Sequence, residues 1–196
     1  MCVAGPGDRH SDPVTSSESP VVHAAGAVLD RLTRLQQDFP VPGVLFRDLT
    51  PVFTDGSALA ALTAGMVELA GPADLYAGLE ARGFVFAAAA AAVTGRGMLA
   101  VRKAGKLPGA VIGEDYDLEY GTARIETHPD DVPTGARVAV LDDVLATGGT
   151  AAAAIRLLRR AGAEVTSVTV AIELDALGGR SALAEYGVPV RALRHH

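Results

Sequence analysis

The chain has 196 residues, which is enough for one domain with a sizeable hydrophobic core. Its 17 Lys and Arg against 23 Asp and Glu give a formal net charge of −6, which argues against a general nucleic-acid or membrane-surface binder. The only cysteine is Cys2, so we expect no disulfide or thiolate metal site within the chain, and we predict a cytoplasmic protein.

The N-terminal segment carries no targeting signal in its composition. Residues 1–20 are rich in Ser, Pro, Gly and Asp and lack an apolar core, so we predict a disordered tail rather than a signal peptide. The apolar run Phe84–Val93 is too short to span a bilayer. We therefore assign residues 21–196 to a single folded domain.

Two helices are predicted before the first strand. Ser19 offers an N-cap and Pro20 suits the first helical position, and apolar residues at helical spacing continue this helix to near Gln37. Two prolines and a glycine in Phe39–Gly43 then force an irregular loop. Asp55 can cap the second helix. The apolar face of the second helix comprises Leu59, Leu62, Met66 and Leu69.

From residue 75 onward, predicted strands alternate with predicted helices. The strands are Leu75–Leu79, Met98–Val101, Ala136–Leu141, Val165–Leu174 and Val188–Leu193. The helices are Phe84–Val93, a run from Ala151 that closes at Gly162, and Arg180–Glu185. This alternation predicts right-handed βαβ units and therefore an α/β fold, with a parallel sheet that helices cover on both faces.

Residues 104–127 interrupt the alternation. The segment is polar and Gly-rich, and we predict a long mobile excursion that contains a β-ribbon. The predicted arms of the ribbon are Asp117–Tyr120 and Ala123–Thr127.

The junction Val138–Thr150 is the most informative segment of the chain. An apolar strand leads into Asp142 and Asp143, and a turn rich in Gly and Thr then precedes a helix. Backbone N–H groups and the helix dipole at such a turn favour a phosphate, and glycines let the backbone approach it closely. The two carboxylates precede the turn, so we expect them beside the hydroxyls of a ribose 5-phosphate. The alternative is a tight turn with an incidental pair of acids.

Three polar segments follow predicted strands directly: Glu80–Gly83, Arg102–Lys103 and Asp142–Thr150. Because ligands bind at the carboxyl ends of parallel strands, we expect these segments to converge at one edge of the sheet. A solvated surface position is the alternative for Arg102, Lys103 and Lys106.

The Val138–Thr150 junction resembles the phosphoribosyl-pyrophosphate motif of the type I phosphoribosyltransferases. Four further segments narrow the resemblance to the family members that act on adenine. They are Phe39–Pro51 (FPVPGVLFRDLTP), Ala77–Phe84 (AGLEARGF), Val101–Gly109 (VRKAGKLPG) and Leu118–Gly121 (LEYG). The similarity covers about residues 21–182, and the pattern Phe-Pro-x-Pro-Gly-x-x-Phe-Arg-Asp is its most specific piece.

The resemblance implies a Rossmann-like sheet with a small base-binding hood at about residues 21–53 and a flexible catalytic loop at about residues 104–127. It implies purine salvage, in which adenine and phosphoribosyl pyrophosphate give AMP and pyrophosphate through an oxocarbenium-like transition state. Mg²⁺ is the implied cofactor, held by substrate oxygens and water rather than directly by the protein. A homodimer is implied, with the regions of Arg47 and Arg102 near the partner. We expect no nucleic-acid or membrane partner.

The resemblance also implies a role for particular residues. The catalytic set comprises Glu119 as general acid/base, Asp142 and Asp143 beside the ribose, and Arg82. The 5′-phosphate set comprises Ala146, Thr147, Gly148, Gly149 and Thr150. The pyrophosphate set comprises Glu80, Ala81, Arg82, Arg102, Lys103 and Lys106. The adenine set comprises Leu45, Phe46, Arg47 and Val144. The family often has Ser at the position of Ala81 and Leu at that of Val144.

Two alternative functions stay open at this point. One is a phosphoribosyltransferase for xanthine, guanine or orotate, although these enzymes lack the Phe-Pro-x-Pro-Gly segment. The other is a non-catalytic regulator that senses the sugar pyrophosphate and binds DNA. Such regulators usually add an N-terminal helix-turn-helix domain, whereas only about forty residues precede Phe39 and the chain is acidic.

Overall fold

The computed structural model describes residues 19–117 and 121–196. Its helices are α1 (Pro20–Leu32), α2 (Thr50–Thr54), α3 (Gly56–Ala70), α4 (Gly83–Thr94), α5 (Gly149–Arg160) and α6 (Gly179–Leu183). Its strands are β1 (Arg34–Gln37), β2 (Leu45–Asp48), β3 (Leu75–Leu79), β4 (Gly97–Lys103), β5 (Ile112–Asp117), β6 (Thr122–Thr127), β7 (Arg137–Leu145), β8 (Glu164–Glu173) and β9 (Val190–His195).

Seven strands of the described residues form the central sheet, in the order β5-β6-β4-β3-β7-β8-β9. The five strands β4, β3, β7, β8 and β9 run parallel to one another. The β5–β6 ribbon continues the sheet beyond β4 in antiparallel pairing. Side chains along β7 point alternately to the two faces of the sheet. Val138 and Val140 pack in the apolar cluster that contains residues of α5. Ala139 and Leu141 pack in the cluster that contains residues of α1, α3 and α4. Helices therefore cover both faces, which confirms the predicted α/β fold.

The helix starts follow the predicted capping residues. The Val22 backbone N–H donates to Ser19 Oγ at 3.3 Å, with Pro20 as the first residue of α1. The Asp55 carboxylate accepts the backbone N–H groups of Ser57 and Ala58 at the start of α3. Each bond satisfies a helix N–H group that has no partner within the helix.

The predicted end of the first helix near Gln37 is wrong. Helix α1 ends at Leu32, and residues 34–37 form β1, which pairs antiparallel with β2 so that Leu35 lies opposite Arg47. Leu35 continues the helical spacing of apolar residues but is 59% exposed. Antiparallel pairing with the strand that follows in the chain therefore outweighs the local helical pattern.

The predicted second arm of the ribbon is confirmed, and the strand that pairs with it begins at Ile112, earlier than predicted. Strand β6 covers the predicted Ala123–Thr127, but its partner β5 ends at Asp117, where the first arm was expected to begin. The register pairs Ile112 with Thr127 and Asp117 with Thr122. Leu118–Tyr120 lie outside the described residues, as does most of the predicted N-terminal tail.

Strand β7 continues beyond its predicted end at Leu141. It pairs with β8 as far as Leu145, so that Asp142 lies opposite Val170 and Val144 opposite Ile172. The acidic pair therefore belongs to a strand and not to a loop, because hydrogen bonding to β8 extends the strand through these polar residues. None of the helices in residues 19–117 and 121–196 has the length and apolar character needed to cross a membrane.

Candidate active site

The three polar segments at the carboxyl ends of β3, β4 and β7 meet at one edge of the sheet, as expected from the parallel topology. They border a cavity of about 700 Å³. Its lining comprises Glu80, Ala81, Arg82, Lys103, Ala104, Tyr116, Ala123, Arg124, Ile125, Asp142, Asp143 and Thr150. The ribbon residues of this lining were not among the predicted site residues, because their approach to the cavity depends on how the ribbon folds back.

The turn between β7 and α5 borders a second cavity, of about 100 Å³. All five predicted phosphate-binding residues, Ala146 to Thr150, line it. Gly148 is the N-cap of α5 and has φ +87°, and no side chain in the described residues caps this helix. The first N–H groups of α5 are therefore available to an anion, and the helix dipole adds positive potential there.

The acidic pair lies between these two cavities. Asp142 lines both of them, and Asp143 lines the larger one. The Asp142 Oδ1 atom accepts the backbone N–H of Asp143 at 2.9 Å. Burial and the neighbouring Asp143 carboxylate raise the pKa of Asp142 well above its ordinary value, because both disfavour the charged form.

Arg82 joins the acidic pair to the hood. Its Nε atom lies 2.6 Å from Asp143 Oδ2, and its guanidinium carbon lies 5.2 Å from the centre of the Phe46 ring. Within the described residues, the buried Oδ2 atom accepts no well-directed hydrogen bond despite this ion pair. A hydroxyl donor from a ligand would satisfy that oxygen.

An apolar slot of about 130 Å³ lies between the hood and the end of β7. It brings together the four residues predicted for the base, Leu45, Phe46, Arg47 and Val144, and adds Val44, Arg82 and Leu174. Leu174 was missed as a site residue, although it was predicted at the end of a strand that points to this edge. Its N–H donates to the Leu145 carbonyl at 2.9 Å, which fixes it beside β7. A flat apolar slot of this kind suits an aromatic base.

Arg102 and Lys106, predicted to bind pyrophosphate, are not in the lining of the large cavity. The Arg102 guanidinium instead lies 3.3 Å from Glu80 Oε2 and donates to the Lys106 carbonyl at 3.0 Å. Burial disfavours the Glu80 carboxylate, but the Lys103 N–H and the Arg102 guanidinium outweigh it and lower the pKa of Glu80. In this arrangement, Arg102 holds the turn after β3 against the start of the ribbon.

The predicted site also includes a general acid/base and a Mg²⁺ ion. Glu119, the predicted general acid/base, lies outside the described residues. In the part of the chain that the structure describes, the one group of three potential metal ligands is Glu173, Asp175 and His195. Arg180 donates from two nitrogens to Glu173, so this carboxylate is already neutralised by a guanidinium.

The family profile described as phosphoribosyl transferase domain matches residues 58–189. Adenine phosphoribosyltransferase of Clavibacter michiganensis is 61% identical over 156 residues, which cover 80% of this chain and 88% of that protein. The Streptomyces avermitilis protein of the same name is 51% identical over 177 residues, covering 88% and 97% of the two chains.

Solved structures agree with these relatives. The adenine phosphoribosyltransferase of Rhodothermus marinus has a TM-score of 0.81 at 41% identity, covering 88% of this chain and 98% of that one. The Saccharomyces cerevisiae enzyme, solved in complex with an imino-altritol bisphosphate and adenine, has a TM-score of 0.80 at 35% identity, with 86% and 98% covered. The chain therefore belongs to the phosphoribosyltransferase family and, within it, to the adenine phosphoribosyltransferases.

Proposed function

We propose that this chain transfers the 5-phosphoribosyl group of phosphoribosyl pyrophosphate to adenine and releases AMP and pyrophosphate. The observation that carries the proposal is that three cavities adjoin one another along the end of β7 and share lining residues. The cavity beside residues Ala146–Thr150, the phosphate loop, shares Val144 with the apolar slot. It shares Asp142 with the large cavity. The base, the 5′-phosphate and the pyrophosphate of the reactants thus each have a compartment of matching chemistry around the acidic pair.

In the reaction, adenine N9 bonds to C1 of the ribose while the bond from C1 to the pyrophosphate oxygen breaks. The electron pair of that bond leaves with pyrophosphate, and the proton of N9 passes to the general base or to solvent. Positive charge develops on the ribose ring, and the carboxylates of Asp142 and Asp143 stabilise it electrostatically. Arg82 and Lys103 stabilise the negative charge that accumulates on the leaving pyrophosphate. Glu119 stays the expected general acid/base.

The residues around the acidic pair suit a Mg²⁺ ion that is held through the substrate. Asp143 is paired with Arg82, and Asp142 accepts the Asp143 N–H, so neither carboxylate is part of a preformed protein cage. When bound, Mg²⁺ would neutralise charge on the pyrophosphate, with ligands from phosphate and ribose oxygens and water. We propose Asp142 and Asp143 as the groups that hold the ribose hydroxyls for this arrangement.

Several expectations from the sequence stay predictions. They are the homodimer, the cytoplasmic location, the division into a tail, a hood and a catalytic loop, and the lack of a nucleic-acid partner. The hood contributes exposed apolar side chains, with Phe39 50% and Val41 54% exposed, and these support an interface on that side of the molecule. Sedimentation velocity of the purified chain would measure the oligomeric state.

The proposed reaction is tested by a panel of bases. Purified protein is incubated with phosphoribosyl pyrophosphate, Mg²⁺ and one of adenine, guanine, hypoxanthine, xanthine or orotate, and nucleoside monophosphates are separated by chromatography. We expect AMP from adenine and little product from the others. A monophosphate of another base as the main product would contradict the adenine specificity, and DNA binding without any turnover would favour the regulator instead.

Replacing Phe46 with Ala should weaken adenine binding selectively. Loss of a stacked aromatic ring should raise the KM for adenine by roughly 5- to 100-fold, with a smaller change in the KM for the sugar donor. Initial rates with each substrate varied in turn measure the two constants. Val93→Ala, at a position 67% exposed near the end of α4, is the matched control. An equal rise in both constants would place Phe46 outside the base slot.

Replacing Gly148 with Val should weaken binding of the sugar donor. The residue has φ +87°, and a Cβ atom would lie 2.9 Å from the Gly179 carbonyl oxygen, so the loop must shift. We expect the KM for phosphoribosyl pyrophosphate to rise by roughly tenfold or more. The control is Gly95→Val, since Gly95 has φ +66° but open space around its Cβ position. Unchanged kinetics in the Gly148 variant would remove this loop from the site.

Replacing Asp142 with Asn should separate stability from activity. Because folding raises the pKa of Asp142, its ionised form destabilises the folded protein at neutral pH, and protonation removes this cost as the pH falls. We therefore expect a higher Tm for the variant than for the wild type at pH 7, and a smaller difference at acidic pH. Loss of the carboxylate charge should lower kcat by roughly tenfold or more.

Thermal unfolding at several pH values and initial rates test this prediction for Asp142. Asn keeps an oxygen that can accept the Asp143 N–H, so the local backbone geometry is retained. The control is Asp131→Asn, at an exposed position. A lower Tm for the Asp142 variant at pH 7 would contradict the prediction.

A further inference from the structure

Side-chain contacts to α5 supplement the short backbone ladder that attaches the β5–β6 ribbon to the sheet. Its inner strand β6 pairs with β4 at only two positions, Arg102 with Glu126 and Lys103 with Ile125. Its outer strand β5 pairs with β6 and forms the edge of the sheet. A ribbon held by so short a ladder needs side-chain contacts to keep its position.

Glu114 of β5 supplies such a contact. Its Oε1 atom accepts Arg156 Nε at 2.7 Å, and its Oε2 atom accepts Arg160 at 2.6 Å. Arg156 and Arg160 lie one turn apart on α5 and therefore project from the same side of the helix. Both carboxylate oxygens are thus bonded to the helix through charge-assisted hydrogen bonds.

The surroundings of Glu114 strengthen this contact. Its side chain is only 16% exposed, so solvent screens the ion pairs less than at an open surface. Hydrogen bonding from Arg156, and also from Arg160, lowers the pKa of Glu114, so the carboxylate is charged at neutral pH. Arg156 also donates to the Tyr186 hydroxyl at 2.7 Å, and Arg160 to the Gly113 carbonyl. Both arginines are therefore held in place from more than one side.

The contact fixes the ribbon relative to the proposed phosphate site. Tyr116 is two residues after Glu114 and projects from the same face of β5. Tyr116 lines the large cavity, and the Asp117 carbonyl oxygen lies 3.3 Å from where a side chain at Gly149 would begin. Gly149 is the first residue of α5. Glu114 therefore connects the cavity wall to the helix that starts at the phosphate loop.

We propose that Glu114 is a positioning residue for phosphoribosyl transfer, which rests on the function proposed above. It holds the ribbon against α5 so that the wall containing Tyr116 keeps water away from C1 of the bound sugar donor. When this hold is lost, water attacks C1 in place of adenine N9. The bond from C1 to pyrophosphate breaks, a proton passes to solvent, and the products are ribose 5-phosphate and pyrophosphate.

The test compares hydrolysis with transfer in Glu114→Gln, which keeps the shape of the side chain and removes its charge. Ribose 5-phosphate and AMP are measured in one reaction with adenine, Mg²⁺ and the sugar donor. We expect the ratio of ribose 5-phosphate to AMP to rise roughly 3- to 10-fold. We expect a lower kcat for AMP formation and a nearly unchanged KM for adenine, since the base slot is not touched.

A matched control is Asp74→Asn. Asp74 accepts two bonds from the Arg137 guanidinium, at 2.9 and 3.2 Å, at the amino ends of β3 and β7. This variant loses a carboxylate–guanidinium pair of similar kind without touching the ribbon. It should keep the wild-type product ratio, and the same rise in this control would overturn the proposal because general loss of stability would then explain it.

A second variant, Arg160→Gln, tests the same contact from the helix. It should raise the product ratio as well. The double variant with Glu114→Gln should raise the ratio by less than the product of the two single effects, because both single variants disrupt the Glu114–Arg160 pair. A wild-type ratio in folded Glu114→Gln, judged by its circular dichroism and Tm, would overturn the proposal. If the wild-type protein formed no AMP at all, the proposed function itself would fail, which is a different result.

Discussion

The ion pair between Arg82 and Asp143 is the interaction on which the arrangement of the site depends. It connects the turn after β3 with the end of β7, two neighbouring strands of the sheet. The same guanidinium lies beside the Phe46 ring, so one side chain contacts the acidic pair and the base slot. Removing Arg82 would leave a buried carboxylate without its counter-charge, next to a second acid, and such a group is costly in a protein interior.

Two features of the site do not stabilise the folded protein when no ligand is bound. Two adjacent carboxylates repel each other, and α5 begins without a side-chain cap among the described residues. The reactants that we propose would supply the missing partners, since a phosphate satisfies the helix N–H groups and ribose hydroxyls can donate to the acids. The two apolar clusters on either face of the sheet hold these groups together before any ligand arrives. A binding site prepared in this way loses less conformational entropy when its ligand binds.

Charged side chains at the ribbon have a different task from those in the cavity. Glu80 and Arg102 pair at the root of the ribbon, Glu126 accepts the Gly105 N–H there, and Glu114 pairs with α5 further out. Each of these acids is largely buried and has a partner on another segment of the chain. They set the position of a segment that the sheet itself holds by only a short ladder. Arg102, Arg156 and Arg160 thus hold the ribbon, whereas Arg82 and Lys103 line the large cavity.

The sequence alone determined the order of the elements and the chemistry of the strand ends. The apolar runs at Leu75–Leu79 and Ala136–Leu141, the cap at Asp55 and the Gly/Thr turn before α5 are local signals, because their effect depends on neighbours in the chain. Those signals were sufficient to predict a parallel sheet and a phosphate site at its edge. The family resemblance added the base-binding role of Phe46, which composition and spacing do not indicate.

Only the tertiary structure decided where pairing overrides local preference and which charges face the cavity. Residues 34–37 leave the helical pattern because β2 is available to pair with them, and β7 runs on through Asp142 because β8 continues beside it. Arg102 and Lys103 are adjacent in sequence, yet Arg102 pairs with Glu80 while Lys103 lines the cavity. Such differences arise from contacts between residues far apart in the chain, and a single sequence carries no local trace of them.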